Sequence, residues 1–122
     1  MSRPVALVTG GGQGIGAATC KRLAQDGYDV LLTYNTSSKP AEMLVDEIRE
    51  SGYDALAVKV DCANDGEVGL LGIHPWMARK IDVLILNHGA YNRVAADQMT
   101  IETLRNTMAV NFEGAVGVYK AV

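Results

Sequence analysis

The chain has 122 residues, 48% of them apolar and 20% charged, with a net charge of -3. That length holds one domain at most, burying roughly two-thirds of its unfolded surface, and the composition is that of a globular protein rather than a disordered or membrane-spanning one. The acidic balance gives no basic field for nucleic acid or an anionic lipid surface. No apolar run approaches the roughly 20 residues a bilayer requires, and Met1-Ser2-Arg3-Pro4 opens no cleavable hydrophobic segment, so a cytoplasmic location is expected.

Val5 to Val8 is a short apolar run that reads as a strand, and Thr9-Gly10-Gly11-Gly12-Gln13-Gly14-Ile15-Gly16 follows it with five glycines in eight residues. The spacing predicts a helix from about Gln13 to Asp26, with Ile15, Ala18 and Leu23 facing inward and Gly27 as its stop. Val30 to Tyr34 is the second strand. A second helix follows Ser38, with Pro40 in its first turn, Met43, Leu44 and Ile48 on the buried face, and Gly52 as its stop. Ala55 to Val60 is the third strand. Between Asn64 and Lys80, Gly66, Gly69, Gly72 and Pro75 predict a short or broken helix. Ile81 to Leu86 is the fourth strand. From Thr100, Ile101, Leu104, Met108, Phe112, Ala115, Val116 and Tyr119 recur at three- and four-residue spacing, predicting one long amphipathic helix whose pattern is still running at Val122.

Nearly continuous apolar strands alternating with helices are what a parallel sheet covered on both faces requires. Right-handed crossovers give the strand order 3-2-1-4, an incomplete doubly wound α/β unit spanning residues 1–122 without repeat or linker. Cys20 and Cys62 lack CxxC or His-rich spacing and are expected as reduced thiols, Cys20 packed as a small hydrophobe. His74 has no acidic or cysteine companion at ligand spacing, so no metal site is expected.

A glycine-rich turn between strand and helix brings bare backbone N–H groups and the positive helix end close to an anion. Gly11 and Gly16 have the spacing of a nucleoside-triphosphate loop, but Ala17 and Ala18 stand where its lysine and hydroxyl belong. Gly12, Gly14 and Ala17 satisfy the dinucleotide pattern GxGxxG/A in a strand-turn-helix setting. A helix entry without a ligand is the plainer alternative.

Thr9-Gly10-x-x-x-Gly14-x-Gly16 resembles the TGxxxGxG loop of the short-chain dehydrogenase/reductase family; the extended branch, TGxxGxxG, would need glycine at Gln13. "VDCAN" around Asp61, "LILNHGA" around Asn87 and "VNFEG" around Asn111 resemble further segments of that family, in the expected order. The loop and the Tyr34-Asn35 region resemble its 3-oxoacyl-acyl-carrier-protein reductases. The resemblance implies that Thr9 braces the turn, that Gly10, Gly14, Gly16 and the Ile15 backbone line a pyrophosphate, and that Asp61 with Cys62 beside it meets adenine. It further implies that Asn87 and Gly89 border the ribose and nicotinamide. Asn111 matches the catalytic asparagine; it either helps hold a relay water or braces a helix bend. Leu86 and His88 depart from the family's NNAG. His88 is either a hydrogen-bonding neighbour of ribose or substrate, or a tolerated cleft substitution without a role, the plainer reading.

An acidic residue at the end of the second strand would favour NAD. Asn35 stands in that region instead, followed by Thr36, Ser37, Ser38 and Lys39, and Asp29 is at the other end of the strand, roughly 16 Å from Tyr34 at about 3.3 Å per residue. NADP(H) is therefore expected over NAD(H). Lys39 is alternatively a solvated helix-start charge.

The family's reaction is hydride exchange between nicotinamide and a carbonyl or alcohol, with a tyrosine, a lysine four residues later and a serine. Here Tyr28, Tyr34, Tyr53 and Tyr91 are followed at that spacing by Leu32, Ser38, Ala57 and Ala95, and Tyr119 would need a residue beyond Val122. Tyr119-Lys120 is no substitute, because adjacent helix positions do not share a face. Alone, the chain is expected to be inactive. It reads as the amino-terminal portion of such a reductase, as a non-catalytic dinucleotide-binding module, or as a truncated product or structural partner that forms a homo-oligomer through the helix from Thr100.

Overall fold

The computed structural model describes residues 3–89 and 96–122; Met1, Ser2, Tyr91 and Ala95, named above, lie outside them. Four strands, β1 (Val5–Thr9), β2 (Asp29–Tyr34), β3 (Ala55–Lys59) and β4 (Val83–Leu86), form one parallel sheet in the order 3-2-1-4, as expected. Its register places Leu7 beside Leu31 and Leu84, and Leu31 beside Leu56.

Side chains alternate across a strand, and the two faces of the sheet feed two cores. Val8, Val30 and Leu32 face α1 (Gly14–Gln25) and α2 (Ser38–Glu50), meeting Cys20, Ala24, Leu44, Val45 and Ile48. Leu7 and Leu31 face the other side, against Val68, Leu71 and Val118 of α3 (Asp65–Gly72) and α5 (Gly114–Ala121). Leu7, Leu31 and Leu32 are wholly buried, each contributing about 1.5–3 kcal/mol relative to exposure.

The inward face of α1 differs from the expectation. Gly16, Cys20 and Ala24 are its buried residues, whereas Ile15 is 79% exposed and Ala18 also faces out. The cause is steric: a Cβ on Gly16 would stand 2.2 Å from the Gly10 carbonyl. The helix begins hard against the loop, so the inward stripe takes the smallest side chains and the bulky ones turn outward. On α2 the buried stripe is Ala41, Leu44, Val45 and Ile48, and Met43 is exposed. The sheet's N-terminal end is tied by Asp29, whose carboxylate meets Arg79 Nη2 at 2.5 Å and Arg3 Nη1 at 3.5 Å.

The third crossover is short, as its glycines and proline predict: α3 has eight residues, and a 3-10 turn follows at Pro75–Arg79. Beyond a second 3-10 turn at Ala96–Gln98, the expected long helix divides into α4 (Ile101–Met108), a π turn (Ala109–Glu113) and α5. The Gly114 N–H reaches back five residues to the Ala109 carbonyl. Gly114 is also where α5 presses on the sheet side, since a Cβ there would lie 2.6 Å from the Cys62 carbonyl. The extra residue in the turn re-aims the helix onto that contact. Ile101, Leu104, Met108, Phe112, Val116 and Tyr119 consequently stay exposed, and the buried residues of this segment are Gly114 and Val118.

Both cysteines are free and buried, Cys20 within the core as expected and Cys62 as well. Burial pushes the Cys20 thiol up to about 12. It also pushes Cys62 up to about 11, with the charges of Asp61 and Glu67 adding to the effect. Neither thiol is a nucleophile at neutral pH. No described helix is long and apolar enough to cross a membrane, and no group of three His, Cys, Asp or Glu residues among those described is placed to hold a metal.

Candidate functional site

The C-terminal ends of β1, β2 and β3 open into a cleft of about 220 Å³ lined by Gly10, Gly12, Gln13, the run from Thr33 to Ser37, Val60, Asp61, Cys62, His88, Gly89 and Val110. Because the strand order reverses between β1 and β4, this is the position where an open parallel sheet leaves a crevice. The cleft is smaller than the roughly 300–1,000 Å³ of a pocket that encloses a ligand. Its shape is that of a floor along which an extended ligand would lie.

The glycine loop forms one wall. Its start is held by β2: Gly10 N–H donates to Thr33 Oγ1 at 3.3 Å and Gly11 N–H to the Thr33 carbonyl at 3.0 Å. Gly14 opens α1 at φ +54°, a left-handed conformation unfavourable with a Cβ, and nothing lies within 4 Å of where that Cβ would be. The first intrahelical bond runs from Ala17 N–H to the Gln13 carbonyl, so the N–H groups of Gly14, Ile15 and Gly16 have no helical acceptor. Gln13 supplies no side-chain cap, and the first turn holds no acidic residue. This end of α1 therefore keeps its donors and its positive dipole for an anion.

Thr9 sits beneath the loop, fully buried, and joins β1 to the segment after β4. Its Oγ1 accepts the Asn87 N–H at 3.0 Å and the His88 N–H at 3.3 Å, and lies 2.8 Å from His88 Nδ1. Asn87 Nδ2 donates in turn to the Gly10 carbonyl at 3.1 Å. Thr9 and Asn87 are thus supports of the loop, placed behind the lining. The Ile15 side chain points to solvent.

The opposite wall is the turn after β3. Asp61 Oδ1 accepts the Ala63 N–H at 3.0 Å. Glu67 Oε1 holds the same turn by accepting the Asp61 N–H at 3.1 Å and Lys59 Nζ at 2.8 Å. The hydrogen bond from Lys59 keeps the Glu67 carboxyl below its ordinary value, with the Asp61 N–H adding to it, and raises the Lys59 ammonium in return. Asn35 lies on the lining between these walls, with Thr36 and Ser37 beside it.

At the far end the π turn closes on the segment after β4. Val110 lines the cleft beside His88 and Gly89, and Asn111 Oδ1 lies 3.4 Å from where a Cβ on Gly89 would stand. Burial holds the His88 imidazole below its ordinary value, an effect the Val110 backbone offsets in part. His88 Nε2 is buried on the side of the ring away from Thr9.

Of the positions singled out in the sequence, Gly10, Asn35, Asp61, Cys62, His88 and Gly89 line the cleft, whereas Thr9, Gly14, Ile15, Gly16, Asn87, Asn111 and Lys39 are not part of its lining. Thr33, Glu67 and Val110 were not singled out. Thr33 had a signal, a hydroxyl near the end of an apolar strand. Glu67 had another, standing three residues after Asn64, whose Oδ1 caps its N–H at 3.0 Å; that spacing suggests a capping box, yet the carboxylate turns to Asp61 instead. Val110 had none, because its place depends on the π turn.

The comparisons with known proteins agree with this geometry. The chain is 36% identical over 113 residues to an uncharacterized oxidoreductase of Methylorubrum extorquens, covering 92% of this chain and 46% of that protein. It is 36% identical over 124 residues to a 3-oxoacyl-[acyl-carrier-protein] reductase of Synechocystis, covering 100% of this chain and 50% of that one. The solved structure of a short chain dehydrogenase from Burkholderia cenocepacia in complex with NADP superposes with a TM-score of 0.91 at 35% identity, over 97% of this chain and 49% of that one. The chain thus spans about half the length of the relatives it matches. The family model for short chain dehydrogenase matches residues 4–122, and with the sheet order and the loop geometry it identifies the chain as a member of the short-chain dehydrogenase family.

Proposed function

We propose that this chain supplies the cofactor-binding half of an NAD(P)-dependent oxidoreductase that exchanges hydride between the nicotinamide ring and a carbonyl or alcohol substrate. The observation that carries the reading is the uncapped, acid-free start of α1 behind Gly14, which fits a pyrophosphate. The Burkholderia relative, bound to NADP, supports it. In this reading the N–H groups of Gly14, Ile15 and Gly16 hold the pyrophosphate with Gly10 beside them, Asp61 and Cys62 border adenine, and Asn87 and Gly89 border the nicotinamide ribose. Asn35, Thr36 and Ser37 receive the 2′ end, and Asn35 stands where an acidic residue would favour NAD, so NADP(H) is preferred over NAD(H). The bound cofactor supplies the hydride. The chain's own residues bind and orient it, and Asn111, beside Gly89, is the one catalytic position of the family pattern present.

No Tyr-x-x-x-Lys occurs in these 122 residues, so the chain lacks the acid–base pair that typically contributes about 10²–10⁴-fold, and we infer that alone it binds without turnover. A second reading is a non-catalytic dinucleotide-binding module. The test is fluorescence titration of the chain with NADPH and NADH, followed by a reduction assay on a panel of small carbonyl compounds. Tighter binding of NADPH with no reduction is expected; absence of binding by both nucleotides overturns the proposal, and turnover overturns the inference of inactivity. A serine strand and Tyr-x-x-x-Lys encoded downstream of Val122 would favour the reductase over the module.

A further inference from the structure

The turn that carries Asp61 and Cys62 into the cleft begins where the sheet stops holding the chain. β3 is an edge strand, and its last tie to β2 runs from Val60 N–H to the Tyr34 carbonyl at 2.8 Å. Backbone N–H groups point alternately to the two sides of a strand, so the next one, on Asp61, faces the outer edge, where no strand among the described residues stands to accept it. Left unpaired, that N–H would leave the start of the turn without a fixed end.

Glu67 supplies the acceptor. In a capping box its carboxylate would turn to the Asn64 N–H, but that group already donates to the Asp61 carbonyl at 2.9 Å. The carboxylate reaches three residues further back, where Oε1 accepts the Asp61 N–H at 3.1 Å beside Lys59 Nζ at 2.8 Å. With Asp61 Oδ1 accepting the Ala63 N–H at 3.0 Å, the N–H, the carbonyl and one carboxylate oxygen of Asp61 are each held. The brace itself is anchored: Val68 and Leu71 seat α3 in the second core, and α5 backs the Cys62 carbonyl at Gly114, where a Cβ would come within 2.6 Å. Asp61 and Cys62 line the cleft and Glu67 does not, so Glu67 stands behind the wall it holds.

We propose that Glu67 is a positioning residue for the adenosine half of the dinucleotide: its carboxylate fixes the Asp61–Cys62 wall through the Asp61 N–H and touches no ligand itself. The proposal rests on the dinucleotide reading of the cleft. It makes a side chain of α3, outside every motif that marks the site in the sequence, a determinant of cofactor affinity. Lys59 contributes by holding the carboxylate in place, and the charge on Glu67 strengthens its bond to the Asp61 N–H.

The test compares the chain with its Glu67→Ala and Glu67→Gln variants by titration with NADPH and with adenosine 2′,5′-bisphosphate, each well below its unfolding midpoint. The two substitutions remove the same charge, so a difference between them does not come from the field at the phosphates. Expected for Glu67→Ala is a roughly 3- to 10-fold loss of affinity for both probes, the worth of about one hydrogen bond. Glu67→Gln, whose amide oxygen can still accept the Asp61 N–H, recovers part of that loss, although without the ion pair to Lys59 it is less stable than wild type near neutral pH. A merely structural role would instead lower affinity in step with stability in both variants. Hydrogen exchange gives a second readout: the Asp61 amide is protected in wild type and in Glu67→Gln, and exchanges faster in Glu67→Ala. Equal NADPH affinity in wild type and Glu67→Ala, or an equal loss in both variants, overturns the role of Glu67 alone. Failure of the wild-type chain to bind NADPH and NADH overturns the dinucleotide reading and this inference with it.

Discussion

Asn87 Nδ2 donates to the Gly10 carbonyl at 3.1 Å and so ties the end of β4 to the glycine loop across a sequence separation of 77 residues. The Asn87 N–H makes a second tie, to Thr9 Oγ1 at 3.0 Å. The loop's shape therefore depends on a strand far along the chain. Asn87→Ala keeps the backbone tie and removes the amide. The expected result is a loss of about 1 kcal/mol in urea unfolding, with NADPH affinity falling as the Gly10 carbonyl loses its partner. Unchanged NADPH affinity would show that the loop holds its shape without Asn87.

Asp29 and Arg79 sit at the other end of the sheet. Asp29's side chain is 9% exposed, and Arg79 and Arg3 supply its ion pairs. Arg79→Ala leaves that carboxylate nearly buried with one distant cation and also removes the guanidinium stacked 4.9 Å from the Trp76 ring centroid. A loss of about 1–3 kcal/mol is expected, with nucleotide affinity unaltered, because the cleft lies at the opposite strand ends. Urea midpoints and NADPH titration of the same variant check both parts.

Glu67 makes stability depend on pH. Its carboxyl lies below the ordinary value of 4.5 in the folded chain, through the hydrogen bond from Lys59 first and from Asp61 N–H second. A depressed folded value means that the unfolded state binds protons first as pH falls. The stabilisation is thus present above the unfolded value and disappears as pH falls through the folded one. Glu67→Gln should lower the urea midpoint near neutral pH, and the gap should close on acidification below 4.5. A gap that is constant with pH would contradict the account.

Asn35 decides the cofactor preference. Asn35→Asp places a carboxylate on the cleft lining where the 2′-phosphate is proposed to lie. NADPH affinity relative to NADH should fall roughly tenfold, about 1.4 kcal/mol. An unchanged ratio would move the 2′-phosphate elsewhere.

Much of the fold was legible because strands buried on both faces leave continuous apolar runs, and Val5 to Val8 and Val30 to Leu32 do so. Helix faces were less legible. On α1 the side that touches the sheet is marked by smallness, Gly16, Cys20 and Ala24, so a search for large apolar residues picks Ile15, which faces solvent. The apolar pattern from Ile101 to Tyr119 announced a surface that wants covering but not what covers it. Motif spacing picked out Asp61 and Gly89, which line the cleft, while the bond between Thr9 and His88 joins residues 79 apart and needs the β1–β4 pairing before it can be seen.

That uncovered surface gives another prediction. Leu104, Phe112 and Val116 are exposed along α4, the π turn and α5, and contiguous exposed apolar surface promotes association. The chain should sediment with a concentration-dependent mass, and Leu104→Ser combined with Phe112→Ser should shift it toward the monomer. A wild-type monomer over a wide concentration range would count against it.

The central claim, that the glycine loop and the strand ends beside it hold a nicotinamide dinucleotide, is tested most directly by backbone amide NMR during titration with NADPH. The account predicts saturable shifts at Gly10, Gly14, Ile15, Gly16, Asn35, Asp61 and Gly89, with residues at the Asp29–Arg79 end unmoved. Saturable shifts confined to other surfaces, or none at the α1 N-terminus, would contradict it.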